Sequence, residues 1–204
     1  MGYYPIVMDL TDRRCLVVGG GEVALRKVLS LVEAGAAVTV IASKIDPRIP
    51  EVDGVRVEQR PWQEGDCVGY ALVFAATDDR AINKTVSEEA RQRAIPINVV
   101  DDPELCSFIV PASVRRGDLL ISVTTSGKSP TLSKQLRREL EARYGPEYAD
   151  FVDLLGELRG LVKAKHPAPE QREAVFSKLM DCGILELMSK GEGEAARKKA
   201  LECI

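Results

Sequence analysis

The chain has 204 residues, of which 45% are hydrophobic and 29% charged, and its formal net charge is −3. This composition is typical of a globular protein and excludes a largely disordered one. The negative net charge argues against a general nucleic-acid binder, because such proteins carry a positive surplus that contacts phosphate groups.

The apolar runs of the sequence are too short to cross a membrane. The longest, such as residues 71–76 and 119–123, have the length of a β-strand, whereas a membrane-spanning helix needs about 20 apolar residues. The N-terminus lacks the basic start and the apolar stretch of a signal peptide. We therefore expect a cytoplasmic protein with neither a membrane nor a nucleic acid as its partner.

The residues that usually bind structural metals are scattered. The five cysteines are odd in number and include no CxxC pair, which argues against a disulfide framework or a zinc site. The single histidine, His166, lies in a predicted loop and is most simply a surface residue. We expect no preformed metal site.

Strand-like and helix-like segments alternate over the first hundred residues. Helices are predicted at residues 23–34, where apolar side chains recur at helical spacing, and at residues 79–93. Short apolar runs predict strands at residues 15–18, 38–41, 55–57, 71–76 and 97–100. Because strands that are apolar on both faces are buried between helices, the pattern predicts an α/β fold with a parallel sheet.

A glycine-rich turn joins the first strand to the first helix. Gly19, Gly21 and Ala24 match the G-x-G-x-x-A pattern of dinucleotide-binding proteins. In that pattern the first glycine permits a tight turn, the second lets a diphosphate approach the backbone, and free amides at the helix start bind the phosphates. Because the motif follows a strand and opens a helix, we predict a Rossmann-type domain rather than a purely structural turn.

The choice between NAD and NADP stays open at this point. NAD sites usually carry an acidic residue about 20 positions after the glycines, which binds the ribose hydroxyls. Here the second strand leads into Ser43 and Lys44, and no acid occurs before Asp46. Ser43 could bond a ribose hydroxyl, and Lys44 could accept a 2′-phosphate.

Polar residues follow the fourth and fifth strands. Thr77 and Asp78 either line the nicotinamide end of the cofactor cleft or cap the next helix. Asp101 follows the fifth strand, at the same edge of the sheet. Its carboxylate is suited to acid–base catalysis during hydride transfer, and the alternative is a turn residue before Pro103.

The pattern changes after Asp101. Strands at residues 108–114 and 119–124 are predicted to form a hairpin whose turn is residues 115–118. Leucines four residues apart predict a helix beyond residue 130, and further helices are predicted at residues 147–165, 170–181 and 194–202. We expect three parts: a Rossmann-type domain at 1–110, a small dimerisation element at 111–145 and an α-helical C-terminal region at 146–204.

Six motifs, in this order, resemble those of one family. They are YPI at residues 4–6, LVVGGGEVA at 16–24, AATDD at 75–79, NVVD at 98–101, SFIVPA at 107–112 and SGKSP at 126–130. This set is similar to the precorrin-2 dehydrogenase and sirohydrochlorin ferrochelatase family, which includes the N-terminal module of siroheme synthases. The similarity extends from about residue 4 to about residue 140.

The resemblance implies an NAD-dependent oxidation of precorrin-2 to sirohydrochlorin and, in some members, the insertion of ferrous iron. It also implies NAD as the cofactor and a homodimer in which the segment after the Rossmann domain is exchanged or packed between subunits. By motif position, Asp101 matches the aspartate that the family uses in catalysis, and the cofactor contacts match Glu22, Val23, Ser43 and Lys44.

The implied substrate is a tetrapyrrole with many carboxylates, so its pocket needs cations and amide donors. Besides Ser107, we expect it to contact the loop that opens the third predicted helix, at Thr125, Ser126, Gly127, Lys128 and Ser129. Further basic candidates are Arg115, Arg116, Lys134, Arg137 and Arg138. About half of these cations are expected to form a solvated helix face instead.

A regulatory module that senses NAD without catalysis is the alternative function. Such a module needs the glycine loop, but it has no use for Asp101 or for the cationic loop at residues 126–130. Replacing Asp101 therefore separates the two functions, because only an enzyme would lose turnover while keeping its affinity for NAD.

Overall fold

The computed structural model describes residues 2–204, which form two compact units. The first unit ends at Val110 and the second begins at Pro111. The hairpin and the C-terminal helices, which the sequence assigns to separate parts, share the second unit. Within residues 2–204, no helix is both long and apolar enough to span a bilayer.

Among residues 2–110, a five-stranded sheet forms the centre of the unit. Its strands are β1 (Arg14–Val18), β2 (Ala37–Ile41), β3 (Arg56–Glu58), β4 (Leu72–Ala75) and β5 (Ile97–Val99). They lie in the order β3-β2-β1-β4-β5, and every neighbouring pair is parallel. The predicted parallel sheet is confirmed. Because the strand order reverses between β1 and β4, the crevice that binds ligands in such sheets is expected there.

Helices cover both faces of this sheet. α1 (Glu22–Glu33) connects β1 to β2, and α2 (Arg80–Gln92) connects β4 to β5. Val17 belongs to the buried cluster that contains α1, and Val18 belongs to the cluster that contains α2. Because successive side chains of a strand point to opposite faces, the central strand β1 supplies both clusters.

A buried carboxylate on α2 holds the segment that leads into β4. The side chain of Glu89 is only 6% exposed, and it accepts hydrogen bonds from the backbone amides of Gly65 (2.9 Å) and Cys67 (3.2 Å). Arg93 Nε donates to the same carboxylate at 3.0 Å. The charge is tolerated in the interior because it is paired and hydrogen-bonded.

Over residues 111–204, the second unit consists of a hairpin followed by helices. The hairpin strands β6 (Ala112–Arg116) and β7 (Leu119–Val123) pair antiparallel. The helices are α3 (Pro130–Arg143), α4 (Glu147–Lys165), α5 (Pro169–Asp181), α6 (Ile184–Ser189) and α7 (Gly193–Glu202). Phe151, Leu158 and Leu179 are at the centre of the core that α4–α7 enclose.

Details of the second unit differ from the sequence prediction. β6 begins at Ala112 and not at residue 108, because Pro111 has no amide hydrogen to donate to a neighbouring strand. Arg115 and Arg116, predicted as part of the turn, are paired with β7, so the turn consists of the two residues between the strands. α6 is not predicted, since its six residues are too few to show a helical repeat.

We expect Glu89→Ala to lower the free energy of unfolding by about 3 kcal/mol, because the buried amide of Cys67 and the partly buried amide of Gly65 lose their acceptor. The chain has one tryptophan, Trp62, and it lies in the first unit. Urea unfolding followed by tryptophan fluorescence therefore measures the loss. The control is Glu88→Ala, since the side chain of Glu88 is 55% exposed and pairs with Lys84 in an i,i+4 contact. Equal losses in the two variants would contradict the assigned role of Glu89.

Candidate active site

The glycine loop between β1 and α1 packs directly against two other backbone segments. A Cβ placed on Gly19 would lie 2.3 Å from the carbonyl oxygen of Ala76, and one on Gly20 would lie 2.1 Å from that of Lys44. Gly19 also has a φ of +122°, which side chains disfavour. Only glycine fits at these two positions, so the loop is pinned between the end of β4 and the segment after β2.

Gly21 differs from its two neighbours, because a Cβ placed on it would meet no atom within 4 Å. It is the N-cap of α1, and no side chain bonds the amides of the first helical turn there. A helix start of this kind attracts anions through its free amides and the positive end of the helix dipole. The open space at Gly21 therefore fits the diphosphate of a dinucleotide.

A cleft of about 750 Å³ opens over this loop. Its walls are the glycine loop, the segment after β2, the Pro61–Trp62 pair and the end of β4. The eight residues expected to bind the cofactor all line this cleft: Gly19, Gly21, Glu22, Val23, Ser43, Lys44, Thr77 and Asp78. The cleft is of the size that small-molecule and cofactor sites usually have.

A second cleft of about 830 Å³ adjoins the first. The two share Val23, Ala76, Thr77 and Asp78, and the second also contains Asp101. The carboxyl ends of β1, β4 and β5 meet along this edge, so the candidate catalytic carboxylate lies beside the candidate cofactor site.

Asn83 holds the segment that the two clefts share. Its side chain is buried on α2, donates to the carbonyl oxygen of Thr77 at 2.9 Å and accepts from Thr77 Oγ1 at 2.8 Å. The cap of α2 is Asp79, whose carboxylate accepts from the amides of Ala81 (2.8 Å) and Ile82 (3.2 Å). The capping role therefore falls to Asp79, while Thr77 and Asp78 line the clefts.

The loop that carries Asp101 is fixed by Cys106. Asp101 is exposed and has a φ of +58°, a conformation that aspartate tolerates better than most residues. Cys106 Sγ accepts from the amide of Val99 at 3.1 Å and lies 3.2 Å and 3.3 Å from the carbonyl oxygens of Val99 and Asp102. Burial raises the pKa of the Cys106 thiol, so the sulfur stays protonated and its single hydrogen is shared between these two carbonyls. Arg80 holds Asp102 through a 3.1 Å ion pair.

An acid that the spacing rule does not find also lines the first cleft. The backbone amide of Asp46 donates to the carbonyl oxygen of Gly20 at 2.7 Å, which brings the loop after β2 against the glycine loop. Arg48 bonds both carboxylate oxygens of Asp46, at 2.9 Å and 2.7 Å, and its guanidinium also contacts the carboxylate of Glu22. The hydrogen bonds from Arg48 lower the pKa of Asp46 to about 2, so the carboxylate is ionised at neutral pH.

The loop expected to bind substrate lies in the second unit, at the start of α3. Ser129 caps this helix by accepting from the amide of Leu132 at 3.3 Å. Thr125 Oγ1 accepts from the amide of Ser129 at 2.9 Å, and the intervening residues Ser126, Gly127 and Lys128 are exposed. The loop is thus a compact turn that presents its central residues to solvent.

Other candidate residues are engaged elsewhere. The hydroxyl of Ser107, which is expected to contact substrate, accepts a hydrogen bond from the backbone amide of Ile97 at 2.8 Å and donates to the carbonyl oxygen of the same residue. Arg116 donates to the carbonyl oxygens of Tyr144 (2.9 Å) and Glu141 (3.2 Å), where it closes the end of α3. Over residues 2–204, no group of three or more His, Cys, Asp or Glu side chains is arranged to hold a metal ion.

Together, the doubly covered parallel sheet and the cleft over the glycine loop define a dinucleotide-binding protein of the Rossmann type. The chain belongs to the family described as putative NAD(P)-binding, whose model matches residues 6–112. Two further models match the rest of the chain. The sirohaem biosynthesis protein central model matches residues 116–143, and the sirohaem synthase dimerisation region matches residues 147–203.

Relatives with similar sequences are siroheme synthases. That of Methylococcus capsulatus is 40% identical over 99% of this chain, and that of Methylobacillus flagellatus is 41% identical over 95%. The chain spans 43% and 42% of the length of these two relatives. A solved structure of SirC, a precorrin-2 dehydrogenase, superposes with a TM-score of 0.76 at 26% identity, covering 98% of this chain and 100% of that one.

We expect Gly21→Ala to bind NAD at least about tenfold more weakly while keeping the melting temperature of the wild type, because the new methyl group enters the phosphate space and touches no protein atom. Gly20→Ala, in contrast, should lower the melting temperature, since its Cβ would overlap a backbone carbonyl. Calorimetric titration with NAD and thermal unfolding measure the two effects. If Gly21→Ala binds NAD as the wild type does, the diphosphate does not lie at this helix start.

Proposed function

We propose that this chain is an NAD-dependent dehydrogenase that oxidises precorrin-2 to sirohydrochlorin in siroheme biosynthesis, in the cytoplasm. The observation that carries the proposal is the continuity of the two clefts. Val23, Thr77 and Asp78 belong to both, so a dinucleotide in the first cleft ends beside the cleft that Asp101 lines. The similarity to siroheme synthases and to a precorrin-2 dehydrogenase supports the choice of substrate.

The residues of the first cleft bind and orient the cofactor. When bound, NAD would serve as the hydride acceptor. The amides at the start of α1 bind its diphosphate beside Gly21, while Ser43 and Lys44 contact the adenosine end. Thr77, held by Asn83, lines the opposite end of the cleft. Such positioning by a rigid frame contributes to catalysis because the reacting groups are held close before the reaction.

Asp101 accepts the proton in this proposal. Oxidation of the substrate removes two hydrogens, of which one leaves with both electrons as a hydride, so the other is released as a proton to a base. Asp101 is exposed, and its carboxylate therefore passes the proton on to water. The bonds that Cys106 makes to the backbone of Val99 and Asp102, on either side of Asp101, hold the loop that carries this carboxylate.

The loop at the start of α3 binds substrate carboxylates in this proposal. Lys128 supplies a positive charge, and Ser126 and Gly127 supply exposed polar groups at a helix start, which together suit an anion. Thr125 and Ser129 shape the loop through their mutual hydrogen bond. A contact between Ser107 and the substrate stays a prediction, since the hydroxyl already bonds Ile97.

We expect Asp101→Asn to lower kcat at least about 100-fold without changing the dissociation constant for NAD, because asparagine keeps the shape but cannot accept a proton. Turnover is followed by absorbance under anaerobic conditions with precorrin-2 and NAD. Asp12→Asn is the matched control, since Asp12 also has a positive φ (57°) and lies before β1, at the other edge of the sheet. Full turnover by Asp101→Asn would assign the proton to another base. NAD binding without any turnover by the wild type would favour the NAD-sensing module.

The proposal also includes a homodimer, which is supported by the match of residues 147–203 to a dimerisation region. Sedimentation of the full chain is expected to give twice the mass of one chain, because a region of this kind buries its surface against a second copy. A single-chain mass at the concentrations used for the assay would contradict the dimer.

Insertion of ferrous iron, with the ion as a substrate, stays a prediction. It is measured by comparing how fast sirohydrochlorin is consumed by ferrous ion with the protein and without it. The same rate in both reactions would restrict the proposal to dehydrogenation.

A further inference from the structure

The segment after β2 contains a carboxylate where NAD-binding proteins usually carry one, although the residue comes late in the sequence. In such proteins the acid follows the second strand directly and binds the hydroxyls of the adenosine ribose. Here β2 ends at Ile41, and the next three residues have no acidic side chain. The chain then turns back, and the bond from the Asp46 amide to the Gly20 carbonyl brings Asp46 to the wall of the cleft.

The surroundings of Asp46 fix both its position and its charge. Arg48 bonds both carboxylate oxygens from one side, and the side chain of Asp46 is 16% exposed. Oδ1 also accepts from the backbone amide of Arg48 at 3.0 Å, whereas Oδ2 accepts only from the guanidinium, so Oδ2 has a second lone pair to which a further donor can bind without displacing Arg48. Arg48 is shared with Glu22, so two negative charges surround one positive charge at this corner of the cleft.

We propose that Asp46 is the acid that accepts the adenosine-ribose hydroxyls of NAD, and that Asp46 and Glu22 together disfavour the 2′-phosphate of NADP. The inference deepens the proposed function and rests on it for the presence of a dinucleotide. Ribose hydroxyls donate to a carboxylate, whereas a phosphate at the 2′ position offers only acceptors and a negative charge. Arg48 is already held by two carboxylates, and Lys44, which lines the cleft, is exposed to solvent.

Calorimetric titration of the full chain with NAD and with NADP tests this assignment without relying on turnover. We expect the wild type to bind NAD more tightly than NADP. Asp46→Asn should weaken NAD binding about tenfold, the equivalent of one charge-assisted hydrogen bond, and should leave NADP binding unchanged or tighter. The matched control is Asp66→Asn, because Asp66 is also paired with an arginine, Arg60, and its side chain is 15% exposed, but it does not line the cleft.

Arg48→Met provides an independent check. If Arg48 only positions Asp46, its loss weakens the binding of NAD. The binding of NADP is then not weakened more than that of NAD. A selective loss of NADP affinity would make Arg48 a phosphate ligand and would overturn the proposal.

The proposal is also overturned if the wild type binds both dinucleotides equally, if Asp46→Asn binds NAD as the wild type does, or if Asp66→Asn shows the same loss as Asp46→Asn. In these cases NAD-dependent turnover by the wild type would leave the proposed dehydrogenase function standing. Binding of neither dinucleotide would remove both the enzyme proposal and the role of Asp46.

Discussion

The contact between backbone segments at the glycine loop is the constraint on which the first unit depends. A side chain on Gly19 would collide with the carbonyl of Ala76, and one on Gly20 with that of Lys44. The ends of β1 and β4 and the loop after β2 can therefore meet at one point. The first turn of α1 stays open to a phosphate at this point. Because β5 runs parallel to β4, Asp101 at its end lies on the same edge of the sheet.

Much of the fold can be predicted from local pattern alone. Short runs that are apolar on both faces indicate a parallel sheet, and the glycine motif after the first run places a ligand at its carboxyl edge. The bounds of the hairpin do not follow from pattern, because pairing with β7 draws Arg115 and Arg116 into a strand although their sequence is typical of a turn. α6 is missed for a different reason, since its six residues give no repeat to detect.

Residues that line the clefts are easier to predict from the sequence than residues that hold the walls of the clefts in place. Asp46 is missed as a cleft residue because its position depends on a tertiary hydrogen bond to Gly20 and not on spacing. Cys106 looks like an ordinary small core residue until its three backbone partners are known. Of these three residues, only Asn83 has a signal in the sequence. It lies three residues before the buried Val86, and this helical spacing puts it on the inner face of α2.

The wall common to the two clefts has a kinetic consequence. Val23, Thr77 and Asp78 face both compartments, so a dinucleotide in the first compartment covers part of the surface of the second. In the proposed reaction, the tetrapyrrole docks on a surface that is built partly from the bound dinucleotide. The proposed function therefore predicts an ordered mechanism, in which the nucleotide binds before the macrocycle and leaves after it.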